Sequence, residues 1–273
     1  MTCFESNPTS LLGTRRGLAG YAAVVGLLML AAVVGCGPRR GQQTLPEPKV
    51  LTTTEQVRMA DSFRNAGRMN DAVELLAGVV ESDPSNAQLH TVYGEYLFLA
   101  GRYDEAEQSL TQALELDPYL TDARNWLGAS LAEQQRYDDA EQQYEKALED
   151  PSYPSPQLIY LNLGMLHRAQ GLDDEAIGFF RRAVQIDPRF LKAHFELALV
   201  LETVGQFDEA LDELGVAEPA YGSDGEYWYR RGFLEFRLSR SNQALESLRR
   251  CLDVSPGSPA AAQARELMGV IQS

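Results

Sequence analysis

Cysteine is scarce in this chain. Cys3, Cys36 and Cys251 are the only three in 273 residues, too few and too scattered for a disulfide framework. No two stand at CxxC spacing, so neither a thiolate zinc site nor a thioredoxin-like motif can be built. Histidine is as sparse. His90, His167 and His194 lie far apart, and none belongs to an HxxxH or HxxEH arrangement for zinc. A nucleophile elbow and a phosphate-cradling glycine loop are missing too. The sequence therefore offers no cofactor or metal site, no small-molecule substrate site and no sign of an enzyme. Positive charge is also deficient: 24 Lys and Arg stand against 39 Asp and Glu, a net charge of −15. Nucleic-acid binding needs a basic stripe to displace counterions, and an acidic body is repelled by anionic headgroups.

One long apolar run is present. Leu18 to Val34 follows Arg15 and Arg16, and a positive flank before such a run reads as an export signal. Its length leaves an uncleaved membrane span open as the alternative. The next residues favour export with lipidation: VVGC, Val33 to Cys36, resembles the bacterial lipobox, in which the cysteine is acylated and becomes the new amino terminus. On that resemblance residues 1–35 are a lipoprotein signal peptide. Residues 36–52 are the lipidated Cys36, carrying palmitate-type chains, and a polar, flexible tether that spans about 22 Å as a coil. Gly37 stands where aspartate would resemble inner-membrane retention, so the resemblance implies a bacterial outer-membrane protein facing the periplasm.

From residue 53 the chain repeats itself. Small residues recur at Ala60, Gly94, Gly128, Gly164, Ala198 and Gly232, with spacings of 34, 34, 36, 34 and 34. Alanine recurs in step at Ala72, Ala106, Ala140, Ala176, Ala210 and Ala244, and a bulky residue follows each four later, from Leu76 to Leu248. Helices approach closely only where side chains are small, and the bulky residue fills the space beside the crossing. Gly67, Gly101, Gly171 and Gly205 suit the end of a first helix. Pro84, Pro118, Pro188 and Pro256 stop a second. This is the tetratricopeptide pattern of two antiparallel helices per unit. The fold class expected is all-α, a right-handed superhelical solenoid. Six units fill 53–258 (53–86, 87–120, 121–154, 157–190, 191–224 and 225–258), and a capping helix fills 259–273.

Acidic pairs open the second helices: Asp104-Glu105, Asp138-Asp139, Asp174-Glu175 and Asp208-Glu209. Capping free amides and complementing the helix dipole explains them better than catalysis. Cys251 takes a small buried position and reads as an inert core thiol. Trp126 and Trp228 read as packing between helices. The first helices of such units line a concave wall. Residues expected there are Phe98 and Leu99 from unit two, Asn125 and Ala129 from unit three, and Leu158, Leu161 and Met165 from unit four. Units five and six add Phe195, Leu199, Tyr229, Phe233 and Phe236. A wall this apolar suggests a groove for an amphipathic helix or an extended peptide; packing between tightly wound units is the alternative. Asn162 stands where peptide-binding members of the repeat class carry an asparagine that holds a ligand backbone.

The beat breaks once. ALEDPSYPSP, Ala147 to Pro156, lengthens one connection by two residues, either as a tolerated loop or as a fixed bend between two half-solenoids. Ala147, Leu148, Pro151, Tyr153, Pro154 and Pro156 match the Ala-Leu-x-x-Pro-x-Tyr-Pro-x-Pro run of the type IV pilus biogenesis/stability lipoproteins. With the lipobox and six units, the chain resembles that family from Cys36 onward. Arg231, Glu235 and Ser239 depart from the repeat pattern in unit six, where a leucine, an apolar residue and glycine are usual. The resemblance implies a pilotin, an outer-membrane lipoprotein that binds secretin subunits and promotes their multimerisation. The alternative is a scaffold for another envelope assembly, in barrel assembly or cell-wall synthesis.

Overall fold

The computed structural model describes residues 51–273; the expected signal peptide, Cys36 and all of the expected tether but its last two residues lie outside the described residues. Among the described residues there are thirteen α-helices and no strand. They pair as α1 (Thr53–Asn65) with α2 (Met69–Ser82), α3 (Ala87–Leu99) with α4 (Tyr103–Leu116), and α5 (Thr121–Glu133) with α6 (Tyr137–Leu148). Next come α7 (Pro156–Ala169) with α8 (Asp173–Ile186), α9 (Leu191–Thr203) with α10 (Phe207–Tyr221), and α11 (Gly225–Arg237) with α12 (Ser241–Val254). The last helix, α13 (Pro259–Gln272), packs on α11 and α12. The sequence thus folds as the all-α solenoid its period predicts.

Each pair is closed by the small residue of its first helix meeting the bulky residue sixteen positions later. A Cβ on Gly94 would lie 2.4 Å from Leu110 Cγ, and one on Gly164 would lie 2.5 Å from Phe180 Cε1. The helices cross this closely only because glycine has no side chain there. In α13 the equivalent place holds Glu266, 34 residues after Gly232. The carboxylate there is exposed and departs from the small residue of the six pairs.

Between the helices of each pair, one residue adopts left-handed backbone. Gly67, Gly101, Gly171 and Gly205 have φ from 71° to 80°, whereas units three and six place Gln135 (62°) and Ser239 (58°) there. The next residue donates its N–H to the carbonyl five positions back, as Arg102 does to Leu97 at 2.9 Å and Arg136 to Leu131 at 2.9 Å. This is the Schellman closure.

The acidic pairs do not cap amides as expected. The N-caps of α4, α6, α8 and α10 are Arg102, Arg136, Leu172 and Gln206, and none makes a side-chain capping bond. The acids fall inside the first turn, where they still complement the dipole, and an N-cap arginine takes the carboxylate instead. Arg102 pairs with Glu105 in this way, and Arg136 with Asp139.

Two of the three histidines, featureless in the sequence, share a local task. His90 Nε2–H donates to the Pro84 carbonyl at 3.0 Å, and His194 Nε2–H to Pro188 at 3.2 Å. Arg124 and Trp228, at the same place in their units, donate to Pro118 at 2.7 Å and to Gly222 at 2.8 Å. In each case a side chain in the first turn ties down a carbonyl six residues earlier. These bonds fix the entry of four first helices.

At the broken beat, α6 has 12 residues against 14 in α2, α4, α8 and α12. Pro156 sits at the start of α7, where its missing N–H costs nothing. The loop is tied back to unit three: Thr121 Oγ1 donates to Asp150 at 2.7 Å, and the Tyr153 hydroxyl donates to Asp122 at 2.9 Å. Two of the departures in unit six, Arg231 and Glu235, are paired with each other and with neighbours. Glu235, 4% exposed, accepts from Ser247 Oγ at 2.7 Å and from Arg231 Nε at 3.3 Å. Arg231 also donates to Glu218 at 2.9 Å. A paired charge therefore fills the place of two apolar residues, the condition on which a buried carboxylate is tolerated.

Candidate functional site: a trough across the first helices

The first helices of units two, three and four leave a trough of about 390 Å³ between them. Phe98 from α3, Ala129 and Ala132 from α5, and Met165 and Ala169 from α7 give it apolar walls, with Glu133, Asn162 and Arg168 at its polar positions. The small residues make the hollow, and the large ones stand at its edges. Phe98 is braced from behind, its ring 5.5 Å from that of Tyr103 and 5.3 Å from that of Trp126. Such rings hold their place without help from a ligand. Buried Tyr144 reaches the trough from α6. Burial pushes its phenol far above the ordinary tyrosine range, and the Glu133 carboxylate adds to the shift.

Ionic contacts flank the trough. On one side Arg64 bridges Asp61 at 2.9 Å and Glu95 at 3.3 Å. Glu95 titrates above the usual carboxylate range because it is desolvated, although Arg64 pulls it back. On the other side Arg168 pairs with Glu196, and Arg230 with Glu202 at 3.0 Å and with Glu226 at 2.9 Å. Between these bridges the wall is free to take an apolar guest.

The expected groove residues do not form one surface. Phe98, Ala129, Asn162 and Met165 come together in the trough. Leu99 (42% exposed) and Leu158 (37% exposed) face solvent beyond its lining. Leu161 does not line a groove: it is 3% exposed and belongs to the core formed with α8 to α13. Asn125 is buried too, and its Oδ1 accepts from Asn162 Nδ2 at 2.8 Å.

Phe195 stacks on Tyr221 with centroids 4.1 Å apart, at the margin of the same core, so Phe195→Asp would disturb packing as well as any surface. Leu199, Tyr229, Phe233 and Phe236 are half-buried on α9 and α11, outside the trough. Tyr229 packs against the core, and Phe233 shares the Arg237 guanidinium with Phe207. Trp228 is buried under Arg250 and Arg231, and Cys251 is fully buried, its thiol raised by desolvation. Sequence reasoning missed Ala132, Glu133, Arg168 and Ala169. They occupy the last turns of α5 and α7, at places of the first helix whose equivalents in unit two were chosen.

Models described as tetratricopeptide repeat match residues 57–121 and 127–189, 97–151, and 225–258. A search of curated proteins finds no match. Among solved structures the chain is similar to PilW, described as a widely conserved type IV pilus biogenesis factor. The identity is 22% and the TM-score 0.68, over 80% of this chain and 97% of that one. It is similar to PilF of Pseudomonas aeruginosa at 20% identity and TM-score 0.67, over 79% and 96% of the two chains. YrrB, described as a TPR protein with an unusual peptide-binding site, matches at 22% identity and TM-score 0.55, over 71% and 99%. The repeat matches together span more than half of the sequence, and the chain belongs to the tetratricopeptide repeat family.

Proposed function

We propose that this protein is an assembly factor for the type IV pilus, held by an acylated Cys36 at the outer membrane and facing the periplasm. In this reading it binds secretin subunits and promotes their multimerisation. The observation that carries it is the shared fold with PilW and PilF over about four fifths of the chain, together with the Ala147–Pro156 run. The trough supplies the means: an apolar hollow with braced walls takes one segment of a partner without chemistry of its own. Lipid attachment confines protein and partner to one membrane surface, raising their effective concentration. Deleting the gene removes secretin multimers and surface pili; unchanged multimers and pili would sink the proposal. Labelled palmitate is incorporated, and the label is lost in Cys36→Ala. Phe98→Asp weakens co-purification of the secretin at unchanged helical content.

A further inference from the structure

We infer that the joint between units three and four slides, and that a guest in the trough sets it. The second half of this rests on the reading of the trough as a protein-docking site. Every other joint between two of the six units carries two restraints. In the first, a side chain early in the first helix holds the carbonyl six residues before it: His90, Arg124, His194 and Trp228 do so. In the second, an arginine–carboxylate bridge crosses the joint: Arg64–Glu95, Arg136–Glu107, Arg168–Glu196 and Arg230–Glu202. The joint at α7 has neither among the described residues. Tyr160 stands at the clamp position there, and the Arg182 guanidinium of its own unit lies over its ring, 5.8 Å from the centroid. The long-range bonds of the connection, at Asp150 and Tyr153, both run to α5. The loop is thus fastened to unit three, and the entry of α7 is left unpinned.

An apolar seam and two polar contacts cross this joint. Ile159, Leu163 and Leu166 of α7 belong to the core of α1 to α6, whereas Leu161 belongs to the core that runs on to α13. The polar contacts are Asn162 to Asn125 at 2.8 Å and His167 facing Glu141 at 3.4 Å. Apolar burial has no direction, so helices held mainly by it slide past one another by about 1–2 Å in shear motions. The trough straddles the joint. Phe98, Ala129 and Ala132 stand on one side of it, and Met165, Arg168 and Ala169 on the other. A slide of α7 against α5 therefore changes the width of the hollow, and a guest that touches both walls selects one setting.

Gln108, Gly178 and Glu246 occupy equivalent exposed positions on α4, α8 and α12, and Gly178 has open space where a side chain would start. Spin labels on Gln108→Cys/Gly178→Cys span this joint and one ordinary joint. Labels on Gly178→Cys/Glu246→Cys span two ordinary joints. The full chain carrying neither pair, labelled alike, supplies the background of its own cysteines. Double electron–electron resonance gives a distance distribution about twice as wide for the first pair as for the second. The guest probe is a dodecapeptide selected by phage display on the full chain and lost on Phe98→Asp. Adding it narrows the first distribution to the width of the second and leaves the second unchanged. Equal widths in the free protein overturn the sliding joint and leave the trough standing. A wide first distribution that the peptide does not narrow overturns the coupling. Selection that yields no Phe98-dependent peptide overturns the trough reading, while the two widths still decide whether the joint slides.

Discussion

Gln135 and Ser239 hold left-handed backbone that glycine holds in the other four units. A side chain in that region costs about 1–2 kcal/mol, and glycine returns part of the gain through the freer unfolded chain. Gln135→Gly therefore raises stability by about 0.5–1 kcal/mol, read as a higher urea midpoint at unchanged slope; a lower midpoint contradicts the account. Gly164 behaves in the opposite way. A methyl group there meets the ring of fully buried Phe180, so Gly164→Ala loses about 1–3 kcal/mol by overpacking. Both effects trace to positions legible in the sequence, because a small residue and its bulky partner sixteen later sit in one helical hairpin. The inward turn of Leu161 was not legible. It depends on packing against helices that follow much later in the chain, which no local pattern encodes.

The 149–155 connection shows how an element departs from the repeat and is still held. Asp150 accepts from the Ser152 hydroxyl, from Thr121 and from the Ser152 backbone, and these bonds hold its carboxyl below the ordinary value of 3.8. The folded state thus binds the proton more weakly than the unfolded one. The stabilisation is complete above that value and is lost as pH falls through the depressed range. Limited proteolysis at 149–155 should quicken at acid pH before the helices melt, and Asp150→Asn should be cleaved quickly at every pH. Equal cleavage of the two proteins at neutral pH would count against this tether. Sequence located the interruption by its two extra residues. It could not show that the loop is tied to the start of unit three, because Thr121 and Asp122 lie about thirty positions away from their partners. The acidic pairs were misread at the same scale: the rule for N-caps is sound, but the acids stand one or more places inside the helix.

Across the whole molecule, stability passes from neighbour to neighbour. Arginine–carboxylate pairs join most adjacent units, among them Arg64–Glu95, Arg136–Glu107 at 2.7 Å and Arg240–Asp208 at 2.7 Å. Half-exposed pairs of this kind each contribute under about 1 kcal/mol and are screened by salt. The apolar seams carry the rest. Removing residues 259–273 strips the cover from the core at α11 and α12, where Leu267, Met268 and Ile271 pack. Amide protection should then fall in α11 and α12 and persist in α3 to α8, as hydrogen exchange would report; a uniform loss along the chain would mean a cooperative block instead. The number of units was legible from periodicity alone. The meeting of Asn125 with Asn162, 37 residues apart, was not, because it joins side chains of two different units. Glu266 carries one more consequence, and it concerns ancestry. A repeat duplicated between existing ones keeps a small residue at every crossing, whereas one built on α13 would first need Glu266 exchanged for glycine or alanine.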